Sequence, residues 1–526
     1  MKRWGLLLAV AGVLGAAEPN YKNAETWVTY GKNPYGWRYS EARQINASNV
    51  AELAPKWVFQ TGVLGKFETT PLVYDRMMYV TGPTNHAYGL DLATGRPMWH
   101  YSKPLPPAVN ICCGQVNRGF AAMGQKLFKV NLESKLVAMD AKTGAVLWET
   151  TIDDIKKGYS ATVAPLIVKN LVVIGIAGAE FGVRGFIDAY DADTGKRVWR
   201  FWTVAGPDDP GGKSWNGDVR PGDNLYTCSI VALDADTGKL KWYYQNTPHD
   251  VHDWDSISDP VLVDMTYKGR KVKAVIQANR NGFLYALDRA NGKLLYAKPY
   301  TKVSWADGIG PDGRPILISG QDPTEEGNKA CPGIGGGHNW QASAYSPLTG
   351  LYYFNSTEGC QLYFKSQQEF HEGQWYQAST TNGLPTEPTT GAILAVDPGT
   401  GDTKWKFDLV TPPSSGLLAT AGGLVFAGDR EGYVMALDAK TGKALWKFQT
   451  GGSVSAPPIS YMFEGKQYVA VAGGSAILTF ALPGGAPASR HAAAEKPAKA
   501  EKKRVASSER PGAPPHAPIR GDVRSQ

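Results

Sequence analysis

Short apolar stretches, each followed by turn-forming residues, recur along most of this chain. MMYVTG, NLVVIGIAG and GLVFAG are three of them, and none continues with the period of an amphipathic helix. Stretches of this length that lie between dense Gly, Asp, Asn and Pro residues are typical of β-strands. The pattern therefore predicts an all-β protein.

A longer unit repeats on top of this pattern: an apolar strand, then Asp-x-x-Thr/Asn-Gly, then a strand that usually carries Trp. The Asp side chain can bond the local backbone and Gly tolerates a positive φ, so both suit a tight turn. We expect the Trp to cover the neighbouring repeat. The units begin at Gly89, Ala138, Ala189, Ala232, Ala286, Ala395 and Ala436.

The spacing of these units indicates the architecture. Four-stranded units that recur about every 40–55 residues fit a β-propeller better than a solenoid. Seven units are readable, and an eighth can be completed by the N-terminal segment together with the C-terminal QYVAVAGG, a joint that would fasten the ring. The prediction is an eight-bladed propeller.

One interval between repeats departs from the pattern. The stretch FWTVAGPDDPGGKSWNGDVRPGDNLYTCSI, between the repeats at Asp191 and Asp234, contains no apolar strand before LYTCSIVAL. We therefore expect one blade to lack strands. A closed propeller with such a blade must expose unpaired strand edges or close again around the gap.

The two ends of the chain differ from its body in composition. Lys2 and Arg3 precede a short apolar run that ends in small residues, which predicts a signal peptide over residues 1–17 and a periplasmic protein without a membrane span. Residues 484–526 are rich in Ala, Pro and Lys and are expected to be disordered. The propeller is assigned to residues 18–483.

The net charge is concentrated at these two ends. Of the formal +7, the signal peptide supplies +2, and the tail supplies +5 through nine Lys/Arg against four Asp/Glu. The body is therefore neutral, which argues against nucleic acid as a partner.

The five cysteines include no Cys-x-x-Cys or Cys-x-x-Cys-His motif, which argues against a c-type haem and most zinc sites. Cys331 and Cys360 are candidates for an ordinary disulfide, and Cys228 is left over. Cys112 and Cys113 are adjacent in ICCGQVNRG. A disulfide between neighbours forces the peptide between them out of its relaxed geometry, and the alternative is a pair of free buried thiols.

The repeat Ala-x-Asp-x-x-Thr-Gly-x-x-x-Trp and the cysteine pair together resemble the pyrroloquinoline quinone (PQQ) dehydrogenases, which are eight-bladed propellers. The resemblance covers roughly Ala24 to Leu482. The repeat by itself also suits non-catalytic propellers such as outer-membrane assembly scaffolds, so the site residues must separate the two. The cysteine pair belongs with the alcohol branch of the family and disfavours a glucose-type quinoprotein.

The resemblance implies a set of cofactor contacts. A vicinal disulfide of Cys112 and Cys113 would pack on one face of the quinone, and Arg118 would meet a cofactor carboxylate, a task that suits its planar charged fork. Ala177 stands where the family usually has a serine. The other implied contacts are Glu68, Thr162, Gly178, Ala179, Asn339 and Trp340.

The resemblance also implies a metal and a catalytic base. Glu180 and Asp253 match metal-ligand carboxylates, and Asp253, in TPHDVHDWDS, also matches the base that takes the alcohol proton. Arg280 matches the arginine beside the reactive quinone oxygens. Asp255 resembles the lanthanide-using branch, because a trivalent ion needs one more negative ligand. The implied cofactors are PQQ and either Ca²⁺ or a lanthanide ion.

The implied function is periplasmic oxidation of primary alcohols to aldehydes, with hydride transfer to the quinone and electrons passed to a separate soluble cytochrome c. Two family features are missing near Trp215: a Thr-x-Trp whose indole stacks on the cofactor, and a Gly-Asn-Pro whose asparagine binds the metal. Two explanations of the missing features stay open: a natural loss of these strands, or a segment lost in sequence assembly. The alternative function is a non-catalytic propeller that binds the cofactor or a protein.

Overall fold

The computed structural model describes residues 23–107, 109, 111–209, 211–214 and 220–484. The predicted signal peptide, the tail beyond Gly484 and residues 215–219 lie outside these ranges. Strands dominate the described residues, and the helical elements among them are short 3-10 turns, at Val50–Glu52, Ile155–Lys157, Ala179–Phe181 and Gly212–Ser214. The all-β prediction is confirmed. No helix in these ranges has the length and apolar character needed to cross a membrane.

The strands of the first half of the chain are β1 (Tyr39–Ser40), β2 (Ala54–Gln60), β3 (Leu72–Tyr74), β4 (Met77–Thr81), β5 (Ala87–Asp91), β6 (Pro97–Tyr101), β7 (Ala121–Met123), β8 (Lys126–Asn131), β9 (Lys135–Asp140), β10 (Val146–Thr151), β11 (Leu166–Val168), β12 (Leu171–Gly175), β13 (Phe186–Asp191), β14 (Arg197–Trp202), β15 (Ser229–Leu233), β16 (Leu240–Gln245), β17 (Val261–Tyr267) and β18 (Arg270–Ala278). Those of the second half are β19 (Phe283–Asp288), β20 (Leu294–Pro299), β21 (Ala306–Ile309), β22 (Pro315–Leu317), β23 (Asn328–Ala330), β24 (Ala344–Ser346), β25 (Leu351–Glu358), β26 (Gln361–Lys365), β27 (Ser379–Gly383), β28 (Thr390–Asp397), β29 (Asp402–Leu409), β30 (Leu418–Thr420), β31 (Leu424–Gly428), β32 (Tyr433–Asp438), β33 (Ala444–Gln449), β34 (Ile459–Phe463), β35 (Lys466–Gly473) and β36 (Ala476–Ala481).

Most strands form antiparallel sheets of four that follow one another along the chain. In sequence order these are β3–β6, β7–β10, β11–β14, β17–β20, β24-β25-β28-β29, β30–β33 with the short β1 added in parallel, and β34–β36 with β2. Two smaller sheets, β21-β22 and β23-β26-β27, are inserted ahead of and within the β24–β29 unit.

Repeat Trp residues dock onto the turn of the following repeat, as predicted. The indole Nε1 of Trp99 donates to the carbonyl of Ala141 at 2.9 Å. Gly144 in that turn has φ 73°, and a Cβ on it would lie 2.6 Å from a ring carbon of Trp99, so glycine is required twice over. The same indole-to-carbonyl bond joins Trp199 to Ala235, Trp242 to Arg289, and Trp405 to Ala439.

The N-terminal strand closes the series of sheets. β2 pairs antiparallel with β36, so the last sheet joins a strand from the N-terminal region to the last strand of the described chain. Trp446 Nε1 donates to Leu53 O at 3.0 Å, and Trp57 Nε1, in β2, donates at 3.2 Å to Leu92 O, in the turn between β5 and β6. The expected joint between the two ends is confirmed, while the blade number of eight stays a prediction.

One sheet is shorter than its neighbours. Within the described residues, β15 and β16 form a sheet of two strands where the adjoining sheets have four. In place of the two further strands, the two ends of the loop between β14 and β15 are hydrogen-bonded to each other. Tyr226 N donates to Thr203 O at 2.9 Å, and Ala205 N donates to Leu225 O at 3.1 Å. The expected blade with missing strands is therefore present in these residues.

The largest hydrophobic cluster joins the first sheet to the last ones. It contains buried side chains from β3, β4, β31, β35 and β36, among them Leu72, Val80, Phe426, Val469 and Leu478. Burial of such side chains on packed sheets gives the loops between strands a rigid frame.

Candidate active site

Loops that precede the first strands of consecutive sheets are tied together by backbone hydrogen bonds. Thr70, ahead of β3, donates to the carbonyl of Arg118, ahead of β7, at 3.0 Å. Arg118 N in turn donates to the carbonyl of Thr162, ahead of β11, at 3.0 Å. These bonds hold three loops that carry predicted cofactor residues side by side.

Four predicted cofactor residues meet in one cluster. Arg118 Nη2 lies 3.0 Å from Glu68 Oε2, and Arg118 Nη1 donates to Thr162 Oγ1 at 2.7 Å. The Arg118 guanidinium is 5.0 Å from the centre of the Trp340 ring. Glu68 and Thr162 are buried. The structure thus brings Glu68, Arg118, Thr162 and Trp340 together, while their roles toward a cofactor stay predictions.

Lys66 belongs to the same cluster, although no sequence motif points to it. Its Nζ lies 2.6 Å from Glu68 Oε1 and 4.8 Å from the centre of the Trp340 ring. Both oxygens of the Glu68 carboxylate therefore face a cation. The signal available in the sequence was only its place two residues before Glu68, which a solvated surface lysine could equally occupy.

Cys112 and Cys113 are free thiols in the structure, with their Sγ atoms 2.7 Å apart. A disulfide has a bond of about 2.05 Å, so the implied vicinal disulfide is not formed here. Cys112 Sγ instead donates a hydrogen bond to Glu180 Oε1 at 2.9 Å. The hydrogen bond between the two thiols raises the pKa of the buried Cys112 and lowers the pKa of the exposed Cys113.

The turn Ala179–Phe181 carries Glu180 and is set by the glycine before it. Gly178 has φ 127°, and a Cβ there would lie 2.3 Å from the carbonyl oxygen of Gly158. Only glycine allows this approach of the two backbones. Gly178 and Ala179 therefore shape the loop that presents Glu180.

The carboxylates of the acidic loop between β16 and β17 have different surroundings. Asp250 accepts hydrogen bonds from His252 N at 3.0 Å and Trp254 N at 2.7 Å, so it shapes the loop. Asp253 lies between these two residues with φ 62°. The side chains of Asp253 and Asp255 keep 44% and 53% of their surface exposed, which leaves their oxygens open to a ligand.

Arg280, in the turn between β18 and β19, is the cation of this loop. It lies 3.5 Å from a carboxylate oxygen of Asp253 and 3.5 Å from one of Asp255. Its Nη2 also donates to the carbonyl of Ile334 at 2.6 Å. Desolvation raises the pKa of Asp253 to about 7; Arg280 opposes this, and the charge of Asp255 adds to it. The two predicted catalytic residues, Asp253 and Arg280, are thus ion-paired.

The three predicted metal ligands are held by different partners, so their joint role as ligands stays a prediction. Within the described ranges, the one set of three or more Cys, His, Asp or Glu ligand atoms that lie within 4.8 Å of one another is Cys112, Cys113 and Glu180. The reason is that Cys112 holds Glu180 while Arg280 holds Asp253 and Asp255. Desolvation raises the pKa of Asp253 and of Asp255, and the charge of Glu180 adds to both rises.

A hard cation fits the chemistry of these donors. Carboxylate oxygens are the ligands that Ca²⁺ and similar ions prefer. Glu180, Asp253 and Asp255 carry more negative charge than Arg280 offsets, and Glu180 Oε2 is buried without a hydrogen-bond partner. An ion held by these three residues would relieve their mutual repulsion.

A planar anionic cofactor also fits. Arg118 Nε and Arg280 Nε are buried donors without a hydrogen-bond partner. The cysteine pair adjoins one of the predicted ligand carboxylates, because Cys112 Sγ lies 2.9 Å from Glu180 Oε1. An anion with a flat ring would meet cations, hydroxyl donors and soft sulfur atoms in this region.

Asn339 is held by its own loop. Its Nδ2 donates to Gly335 O at 2.8 Å, and its Oδ1 accepts from Trp340 N at 2.8 Å. Asn339 and Trp340 both line a cavity of about 300 Å³ together with Arg430. The Trp340 ring reaches the Arg118 cluster, whereas the Asn339 amide serves the turn that positions this ring.

The loop between β26 and β27 is a second part of the site to which no sequence motif points. Tyr376 N donates to the carbonyl of Glu180 at 2.6 Å, and the Trp375 ring contacts Phe181 edge-on, with centres 5.6 Å apart. This loop supports the Glu180 turn from a distant part of the sequence. No local pattern signals the contact, because it depends on how the inserted β23-β26-β27 sheet folds back.

Two family models match the chain. The model described as PQQ, glucose/ethanol/alcohol dehydrogenase, beta-propeller domain matches residues 27–218 and 209–309. The model of the outer membrane protein assembly factor BamB matches residues 389–499. The two segments of the first match meet at residues 209–218, within the interval that lacks strands.

Individual relatives agree with the first model. The quinoprotein alcohol dehydrogenase PedH of Pseudomonas putida is 35% identical over 89% of this chain and 90% of its own. The 1-butanol dehydrogenase (cytochrome c) of Thauera butanivorans is 34% identical over 90% of this chain and 78% of its own. A solved europium-containing methanol dehydrogenase is 32% identical with a TM-score of 0.82, covering 88% of this chain and 99% of that one. This chain therefore belongs to the family of PQQ-dependent alcohol dehydrogenases.

Proposed function

We propose that the protein oxidises primary alcohols to aldehydes with PQQ and a Ca²⁺ or lanthanide ion. The observation that carries this proposal is the ion-paired set of Arg280, Asp253 and Asp255. It supplies a half-exposed carboxylate, a fixed cation and donors for a hard ion within one loop system. The europium-containing relative supports a lanthanide as one choice of ion.

Arg118, Glu68, Thr162 and Trp340 would hold PQQ. When bound, PQQ supplies the two-electron acceptor and the cation supplies Lewis-acid polarisation. Arg118 offers a planar fork for a carboxylate, and Thr162 holds that fork in place at 2.7 Å. Cys112 and Cys113 and the Trp340 ring offer surfaces for the flat ring system. Glu180, Asp253 and Asp255 would hold the ion.

Asp253 would act as the general base. Its carboxylate is open to the site, and one of its oxygens would accept the proton of the alcohol hydroxyl. Before that transfer, Arg280 stabilises the ionised form of the Asp253 carboxylate. A base works best when its pKa lies near the working pH. Arg280, fixed on the carbonyl of Ile334, would in addition face the oxygens that gain charge during the reaction.

A separate soluble cytochrome c in the periplasm would accept the electrons. The name of the Thauera butanivorans relative includes cytochrome c, and this chain contains no Cys-x-x-Cys-His motif of its own. The signal-peptide pattern of residues 1–17 supports the location.

The two-stranded β15-β16 sheet favours a second candidate function. A propeller that lacks two strands in one blade could retain cofactor binding and lose turnover, since the stacking tryptophan and the ligand asparagine of the family are missing from this interval. Such a protein would be a binding module rather than an enzyme.

A dye-reduction assay separates the two functions. The purified protein is incubated with PQQ and with CaCl₂ or LaCl₃, and ethanol and methanol are the substrates. Turnover with either ion supports the enzyme and shows that the missing strands are dispensable. A folded protein that binds PQQ without turning over supports the binding module.

A further inference from the structure

We infer that Lys66 is a further cofactor-binding residue, which holds a carboxylate of PQQ together with Arg118. The inference rests on the proposed function. Lys66 Nζ and the Arg118 guanidinium lie 4.8 and 5.0 Å from the centre of the same Trp340 ring. The two cations also share the Glu68 carboxylate, at 2.6 Å from Oε1 and 3.0 Å from Oε2. One anionic ligand beside Trp340 could therefore reach both.

The charge of this cluster explains why a second cation is needed. Glu68 is 2% exposed and pairs with Arg118, so the positive charge of Arg118 is already offset. An offset pair offers little attraction to a ligand with three carboxylates. Lys66 gives the cluster of Lys66, Glu68 and Arg118 a net positive charge, and the Lys66 side chain that carries it is partly exposed.

Lys66 can supply the contact without breaking its bond to Glu68. An ammonium group has three protons, and Glu68 Oε1 takes one of them. The Lys66 side chain is 49% exposed, so the remaining protons face a solvent-accessible space. Its flexible stem lets the ammonium adjust to the position of a carboxylate, which the fixed Arg118 fork cannot do.

The test is the affinity of the metal-free, PQQ-free protein for PQQ, measured by quenching of tryptophan fluorescence. We expect Lys66→Gln to weaken binding by about tenfold, the loss of one charge-assisted hydrogen bond. Lys66→Arg keeps the charge and should retain most of the affinity. Lys56→Gln is the matched control, because Lys56 is an exposed lysine of the same N-terminal segment, and it should bind like the wild type.

A second background separates direct binding from mere neutralisation of Glu68. If Lys66 contacts the cofactor, Lys66→Gln should weaken PQQ binding in the Glu68→Gln protein as well. The inference would be overturned if Lys66→Gln did not weaken PQQ binding in the Glu68→Gln protein, or if Lys66→Gln alone bound PQQ as tightly as the wild type. In both cases, PQQ binding by the wild type would leave the proposed function standing. A wild type that does not bind PQQ would overturn both.

Discussion

The indole of Trp446 donates a hydrogen bond to the carbonyl of Leu53, at 3.0 Å, and so fastens a strand near the C-terminus to the N-terminal segment. The same ring meets Phe480 of β36 edge-on, with centres 5.2 Å apart. Leu53 directly precedes β2, and β2 pairs with β36, so this one side chain touches β36 and the residue that leads into its partner strand.

Trp446→Ala should therefore lower the free energy of unfolding by about 3 kcal/mol, since it removes ring packing and the hydrogen bond. Trp446→Phe keeps most of the packing and should cost about 1 kcal/mol. Urea denaturation followed by circular dichroism checks both values. Leu64→Ala is the control, because Leu64 is 89% exposed and should change stability by less than about 0.5 kcal/mol. Equal stability of all three variants would contradict the role of the joint.

The Cys331–Cys360 disulfide links two residues 29 positions apart and confirms the pairing expected from the sequence. The chain between them includes Ile334, whose carbonyl holds Arg280 at 2.6 Å. A Cys331→Ala/Cys360→Ala protein should lose about 3–4 kcal/mol of stability, the entropy of closing a loop of this length.

A reducing agent provides the control for this disulfide. Dithiothreitol should bring the wild type to the stability of the double variant and leave the double variant unchanged. A double variant that still responds to dithiothreitol would show that another disulfide contributes. In this fold the candidate would be the Cys112–Cys113 pair.

The reactivity of the cysteine pair follows from its environment. The hydrogen bond with Cys112 lowers the pKa of Cys113, and Cys113 is exposed, whereas burial adds to the raised pKa of Cys112 and gives Cys228 a pKa well above its usual range. The thiolate is the reactive form, so Cys113 should be alkylated first by iodoacetamide in the reduced protein. Peptide mapping by mass spectrometry measures the order. Faster labelling of Cys228 would contradict this environment.

Local sequence signals were enough for the frame of the fold. The Asp turn, the glycine and the Trp of each repeat lie within about a dozen residues, and each takes part in the docking contact that the structure shows, as Gly144 does with Trp99. The joint of the two ends and the shortened β15-β16 sheet were also predictable, because both are visible as a surplus or a lack of apolar strands.

The site was predictable residue by residue and less so as an arrangement. The resemblance led to Glu68, Arg118, Thr162 and Trp340, which meet in one cluster. It did not indicate that Glu180 would turn to Cys112, nor that Lys66 would join Glu68. Those contacts depend on side-chain rotamers and on loops from different sheets, for which a single sequence carries no periodic signal.

The choice of metal ion depends on Asp255. Asp255→Ala should weaken terbium binding at least about tenfold, as seen by sensitised luminescence, and should abolish lanthanum-supported turnover while calcium-supported turnover falls less. The reason is that a trivalent ion needs the third carboxylate to balance its charge, whereas a divalent ion is balanced by Glu180 and Asp253. Asp264→Ala is the control, because Asp264 lies in β17, outside the acidic loop, and its carboxylate lies 3.1 Å from Arg289. An equal loss of lanthanum and calcium activity in Asp255→Ala would assign this carboxylate to holding Arg280 at 3.5 Å and not to selecting the ion.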